Sequence, residues 1–419
     1  MRFARRLGAL QEREFRRFFV GQSVSQLGDG MVAVALSFAV LDLTGSVSDL
    51  GFVFAARSIP LVGFLLVGGV FADRLPRRVV MVGADLVRLT SQGLVSGLLV
   101  TGHAHVWELI VAQAVYGTGT AFFNPAVTGL TPMTVSVERL QQANALRGLA
   151  SSAGFIAGPA VAGLLVTTVG PGWALAVDAA SFGVSALFLA LLRLPPHERL
   201  SAQTFVRDLL EGWREFRSRS WLWSIVLAAG VANMMSGPFF VLGAAISKQS
   251  LGGAAAWALI LCTLNIGSFA GALLALRLRP RRPLVAAFIA FLPFGVPSAL
   301  LALGASAVVI AAGALFAGGG LIFGNALWET TLQEQIPPRA LSRVTAYDWF
   351  GSSVFQPLGN ALVGPVAAAI GNRPTLWLAA GAILTVDVAV LSVPSVRAVE
   401  ARRAGLDAGT AESAQAPIS

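Results

Sequence analysis

Charged side chains stranded in apolar stretches are where this sequence keeps its chemistry. Asp29 lies between Gly28 and Gly30 deep inside one apolar run, and Arg57 lies inside the next. A carboxylate in hydrocarbon costs about 2.5–3.5 kcal/mol on insertion scales and is a functional candidate by default. Asp29 can carry a proton from one side of a membrane to the other, or pair with a cationic substrate. Alternatively Arg57 neutralises it, since helix rise puts the two at depths within about 8 Å of each other. Both readings stand on sequence alone. Asp85 and Arg88, three apart and so on one helical face, can neutralise each other. Asp178 and Asp387 are acids in two further apolar runs, and Arg147 with Asp348 reads as a conceivable ion pair across the molecule. Gln113, Asn233, Met234, Met235, Asn325 and Trp328 are polar, soft or aromatic groups suited to the wall of a cavity for amphipathic ligands. His103 and His105 fall in a short polar connection and read as solvated, and the lone Cys262 has no intramolecular partner for a disulfide.

Other chemistries lack their residues. The sequence has no phosphate-cradling Gly-rich loop, no nucleophile elbow and no metal-ligand spacing. Enzymatic catalysis, ATP hydrolysis, a resident metal and a cofactor are therefore not expected.

The elements that would hold these groups follow from composition. Of 419 residues, 55% are hydrophobic and 12% charged, against about 25% charged in soluble domains. So few charges cannot clothe a water-soluble surface of this size. Runs of about 20 apolar residues, the length of a helical bilayer span, occur twelve times. They lie near 18–42, 49–72, 79–101, 106–130, 142–168 and 172–194, then 221–247, 256–276, 284–303, 307–329, 343–370 and 374–394. The expected fold is an all-α polytopic membrane protein of twelve spans. The basic stretch before the first span has no small-residue cleavage site behind it and does not read as a signal peptide.

Net charge is +9, and the placement of the basic residues explains it. Nearly all lie in the N-terminal stretch 1–17, in the even-numbered connections, or in the tail after 395. Only Lys248 and Arg373 face the other way, while Arg57, Arg88 and Arg147 lie within spans. This is the positive-inside pattern of a chain with both termini cytoplasmic, so nucleic acid is not an expected partner. The mixed polar and apolar connection 195–220 repeats Phe205, Leu209, Leu210, Trp213 and Phe216 at helical spacing. It reads as an amphipathic surface helix joining two six-span halves, 18–194 and 221–394. The tail 395–419 is Ala- and Ser-rich and is expected to be disordered. The halves repeat: Gly117, Gly119 and Asn124 map onto Gly318, Gly320 and Asn325 at an offset of 201 residues, and Ser151, Gly158 and Gly163 map onto Ser352, Gly359 and Gly364 at the same offset.

Local patterns give the chain a family likeness. Gly69-Val-Phe-Ala-Asp73-Arg74-Leu-Pro-Arg77-Arg78, between spans two and three, resembles the G-x-x-x-D-R-x-x-R-[RK] loop of the major facilitator superfamily. Gly154-Phe-Ile-Ala-Gly158-Pro159-Ala-Val-Ala-Gly163 resembles the span-five signature of its drug/proton antiporters. Phe18-Phe19, Gly21-Gln22, Ser25 and Gly28-Asp29 are similar to the macrolide-efflux and siderophore-exporter branch. The span-four arginine of the antiporters is missing before Gln113, Gly117 and Gly119. Arg277 stands where a repeat of Asp73 would align, so only one half carries the acidic loop.

The resemblance implies proton-coupled efflux of hydrophobic or amphipathic small molecules by a monomer in the cytoplasmic membrane. In that scheme Asp29 with Arg57 serves coupling or cation binding, and Gly69, Asp73, Arg74, Arg77 and Arg78 form a gate. Gly154, Gly158, Pro159 and Gly163 pack span five against the other half, while Gln113, Asn233, Met234, Asn325 and Trp328 line the cavity. Import or uniport on the same fold, and a non-transporting membrane partner protein, are the alternatives.

Overall fold

Apolar runs punctuated by Gly, Pro and Arg fold here into twelve long helical segments among the described residues, with short helical turns between them, a last short helix at Pro394–Arg397 and no strand. The computed structural model describes residues 8–194 and 213–400, and at 65–74, 338–340, 342 and 343 the backbone alone. The first half comprises α1 (Arg13–Thr44), α2 (Val47–Arg74), α3 (Arg77–Thr101), α4 (Val106–Leu130), α5 (Leu140–Thr168) and α6 (Pro171–Ala190). The second comprises α7 (Ser220–Ile246), α8 (Gly253–Arg277), α9 (Pro283–Leu303), α10 (Ala307–Gln335), α11 (Pro338–Ile370) and α12 (Asn372–Ser392).

Two helices are interrupted beside prolines, whereas Pro60, Pro125, Pro159 and Pro238 sit inside unbroken ones. Pro293 and Pro297 each remove a backbone donor and crowd the preceding turn, and α9 tightens into a 3₁₀ turn at Leu292–Gly295. Pro357 sits just past the break in α11 between Ser353 and Gln356. Among the described residues ten helical segments are long and apolar enough to cross a membrane by length and composition, and of the twelve α3 and α4 are not. These two carry Asp85, Arg88, Gln92 and Gln113, all buried. Protein rather than lipid surrounds their polar faces.

The halves share one packing plan. In the first, α1 packs on α5 and α6, α2 on α4, and α3 on α4 and α6. In the second, α7 packs on α11 and α12, α8 on α10, and α9 on α10 and α12. The repeated glycines make this possible. Without a Cβ, Gly117 lets α4 touch the backbone of α2 at Arg57, and Gly318 lets α10 touch α8 at Leu264. Gly119 and Gly320 do the same against α3 and α9. The 201-residue repeat is thus a repeat of close approaches.

Between the halves, α5 meets α8 and α2 meets α11. Away from the chain ends one apolar cluster runs through both halves, from Met31, Leu36 and Leu50 to Phe239, Trp257 and Leu261. At the end that carries the termini the main apolar clusters stay within one half each. One holds Phe15, Phe18, Met81 and Leu130, and the other Leu222, Phe288, Trp328 and Val344. The molecule is closed at one end and parted at the other.

Of the expected surface helix, 195–212 lies outside the described residues. At its described end the Trp213 and Phe216 rings stand 5.5 and 5.9 Å from Tyr347 of α11. Residues 1–7 and 401–419 also lie outside.

Candidate functional site

Four helices bring charged groups together in the middle of the first half. Asp29 reaches this place because its neighbours are glycines. A Cβ on Gly28 would stand 2.7 Å from Asp178 Oδ1 of α6, and one on Gly30 would stand 2.6 Å from the Gly154 carbonyl of α5. The helix is therefore pressed against α5 and α6 on either side of its acidic residue.

Asp29 Oδ1 accepts a hydrogen bond from the Tyr116 hydroxyl at 2.5 Å. Arg57 Nη2 donates to the same hydroxyl oxygen at 3.4 Å, and its guanidinium lies 4.3 Å from the Tyr116 ring centroid. Arg88 Nη1 stands 3.9 Å from Asp29 Oδ2 and also pairs with Asp85, between the rings of Phe123 and Phe182 at 4.0 and 4.4 Å. A second strand of the network ends on α6. Gln113 Nε2 donates to Gln92 Oε1 at 2.9 Å, and Gln92 Nε2 donates to Asp178 Oδ2 at 2.8 Å. Asp85, Gln92, Gln113, Tyr116 and Asp178 are sealed from solvent, whereas the Asp29 side chain keeps 22% of its surface exposed.

Three carboxylates and two guanidiniums thus share one buried region. Fully ionised, they leave one negative charge in surroundings where an unbalanced charge is expensive. One proton restores neutrality. Among the described residues no three of His, Cys, Asp and Glu are grouped to hold a metal.

Several expectations need correction. Arg57 does not pair with Asp29: the Tyr116 hydroxyl lies between them, and the guanidinium beside the acid is that of Arg88. Gln113 is buried in the network. Gly154 and Gly158 do not face the other half. A Cβ on Gly158 would stand 2.6 Å from the Gly30 carbonyl carbon of α1, and only Gly163 looks across, 2.7 Å from Ala258 Cβ of α8 on the same test. Pro159 is buried within α5. Arg147 donates to Thr131 Oγ1 at 2.6 Å, and Asp348 accepts from Trp328 Nε1 at 3.1 Å, so no ion pair joins them.

Sequence reasoning missed Tyr116 and the reach of Arg88. A signal was present. Asp85, Arg88 and Gln92 recur at i, i+3 and i+7, a polar stripe on one face of α3, and Gln113 and Tyr116 are one turn apart on the facing helix.

The expected gate is placed only in part. Arg78 Nη1 donates to the Leu192 carbonyl at 2.6 Å, and the Arg77 side chain lies against Gly129 of α4. Gly69, Asp73 and Arg74 are in the helix α2, and their side chains are outside the described residues.

The second half holds a cavity of about 820 Å³ among α7, α9, α10, α11 and α12. Asn233, Asn325 and Trp328 are among its lining residues, and Met234 is not. Asn233 Nδ2 donates to the Ser352 carbonyl at 2.8 Å.

A family model fixes the lineage: the Major Facilitator Superfamily model matches residues 18–359. The chain belongs to that superfamily. Relatives in this family of transporters include macrolide efflux protein A of Streptococcus pyogenes, 26% identical over 57% of this chain and 60% of that one. The match therefore covers less than two thirds of that relative's length. The multidrug efflux pump Tap of Mycobacterium tuberculosis is 27% identical over 89% of this chain and 91% of its own. Among solved superfamily structures, the nucleoside transporter NupG superposes with a TM-score of 0.72 at 14% identity, covering 91% of this chain and 98% of that one. A bacterial homologue of the lysosomal transporter Spinster, described as inward-facing and unoccupied, gives 0.64 at 14% identity over 93% and 98%. These two likenesses speak to fold alone.

Proposed function

We propose that this chain is a secondary transporter that exports hydrophobic or amphipathic small molecules in exchange for protons. It works as a monomer in the cytoplasmic membrane with both ends in the cytoplasm. The halves 18–194 and 221–394, joined by 195–220, rock about the midplane. The end parted here faces the cytoplasm, in keeping with the basic residues gathered there. Macrolide efflux and multidrug efflux, the functions named for its relatives, supply the class of cargo.

The observation that carries the reading is the charge imbalance around Asp29. Its buried partners are fixed, while Asp29 itself is reached by solvent, so it is the carboxylate placed to load and release the neutralising proton. Tyr116 and Arg88 orient it. Gly69, Asp73, Arg74, Arg77 and Arg78 act as the gate that holds the cytoplasmic ends together in the opposite state.

Substrate-dependent quenching of a pH dye in proteoliposomes, run across a drug panel, tests the proposal. Asp29→Asn should abolish drug-driven proton movement while leaving the protein folded. Wild-type proton movement in that variant would remove Asp29 from the role. The second reading, import or uniport with Asp29 as a fixed charge, draws on the Arg88 guanidinium at 3.9 Å. It predicts transport indifferent to an imposed proton gradient.

A further inference from the structure

The cavity of the second half has a chemical character that the charged cluster of the first half does not share. Three acids line it, Glu329 on α10, Asp348 on α11 and Asp387 on α12, and no Lys, Arg or His is among the described lining residues. Asp348 is held by the Trp328 indole at 3.1 Å, and Trp328 is itself braced edge-on by Trp221 at 5.8 Å. Asp387 is different. It is only 4% exposed, it lines the cavity, and its Oδ2 is buried with no hydrogen-bond partner.

A buried carboxylate oxygen without a donor or counter-charge is costly, and a cationic ligand seated beside it would supply the missing counter-charge. The remaining walls say which kind. Phe288, Phe291 and Phe294 of α9 and Trp349 of α11 add apolar and aromatic surface, whose ring faces attract cations as well as bury hydrocarbon. At about 820 Å³ the space is that of a drug-sized ligand. Three acidic groups disfavour an anion there, and a neutral compound would bring no positive charge to Asp387.

We propose that this cavity is a binding site for lipophilic organic cations, with Asp387 as the buried counter-charge and Asp348 and Glu329 flanking it. The proposal rests on the transporter reading for its purpose, but binding itself can be measured apart from transport. It also divides the labour: the first half handles the proton, and the second half selects the cargo by charge.

The test is equilibrium binding of radiolabelled tetraphenylphosphonium to the purified full-length protein in detergent. Tetraphenylborate, of the same shape and opposite charge, is measured separately. Saturable binding of the cation and none of the anion is expected. Asp387→Asn, nearly isosteric, should weaken cation binding about tenfold or more, in line with removing a desolvated counter-charge. The double variant Glu329→Gln/Asp348→Asn should weaken it several-fold, and it decides the matter if Asp387→Asn does not run as a monodisperse protein. Equal binding of both ions overturns the proposal, as does unchanged cation binding in a folded Asp387→Asn. If the cation fails to bind while an uncharged amphipath drives proton movement in proteoliposomes, the cavity assignment falls and the exporter stands. If the cation binds and nothing on the panel moves protons, the exporter falls and the site stands.

Discussion

At the scale of single residues, the pair Asp85 and Arg88 shows how little of a buried charge's role follows from its partner in sequence. The two were legible as a neutralising pair at i, i+3, and they do pair. What the spacing could not reveal is that Arg88 is also the guanidinium beside Asp29, because that depends on how α3 leans on α1 through α6. Removing Arg88 alone strands Asp85, which is fully buried, and breaking such a pair costs about 3–5 kcal/mol. Arg88→Met should therefore lower thermal stability sharply in detergent. Asp85→Leu/Arg88→Met, which removes both charges, should recover most of the loss, since apolar replacement of a buried pair is often neutral. A double variant as unstable as the single one would mean that Asp29, not Asp85, is what Arg88 chiefly supports. Tyr116 makes the same point from the other side. It is one of only two tyrosines in the chain; its one-turn spacing from Gln113 marks a polar face of α4, but only the packing of α1 and α2 against that helix puts its hydroxyl between Asp29 and Arg57.

At the scale of helices, the apolar runs were readable because hydrocarbon demands helices of bilayer length, but the breaks in α9 and α11 were not, since Pro60, Pro125, Pro159 and Pro238 sit inside unbroken helices. Which helix a glycine face meets was not readable, because small residues declare only that something comes close. The Gly154–Gly158 face turns out to seat α1, and with it Asp29. Its counterpart helps to define the asymmetry of the halves. Gly158 meets Gly30 of α1, Gly359 meets Met234 of α7, and Asn233 thereby occupies the position in α7 that Asp29 holds in α1. A single methyl is enough to test the seat. Gly158→Ala places a carbon 2.6 Å from the Gly30 carbonyl carbon, where α1 and α5 must separate, at a typical overpacking cost of about 1–3 kcal/mol. Thermal stability and proton-coupled transport should both fall. Gly97 of α3 has nothing within 4 Å of such a carbon, so Gly97→Ala should be neutral or stabilising by up to about 1 kcal/mol from helix propensity. If the two variants melt alike, close approach of α1 and α5 is not what Gly158 provides.

At the scale of the whole molecule, the question is what holds the closed end shut. Two contributions are visible there, and their sizes differ. The apolar cluster shared by both halves would meet water if that end opened, at about 25 cal/mol for each Å² of apolar surface uncovered. Beside it, Lys248, the only lysine in the chain, reaches from the end of α7 across to α1. Its Nζ donates to the Leu41 carbonyl at 2.6 Å and pairs with Asp42 Oδ1 at 2.7 Å. A cation at a helix C-terminus gains from the dipole, but this pair is partly open to solvent, so its worth is about 1 kcal/mol at most. The latch therefore tunes the equilibrium that the apolar cluster dominates. Lys248→Met should raise the population open at that end by no more than about fivefold, the ratio that 1 kcal/mol sets at room temperature. Spin labels at Ser46 and Gly252, in a Cys262→Ala background, would read this as growth of a longer-distance peak. Leu50→Ser together with Ile260→Ser, which spoil the shared cluster, should shift the same peak further than Lys248→Met does. A larger shift from the lysine variant would mean that the charge bridge, and not buried hydrocarbon, decides which side of the membrane the cavity faces.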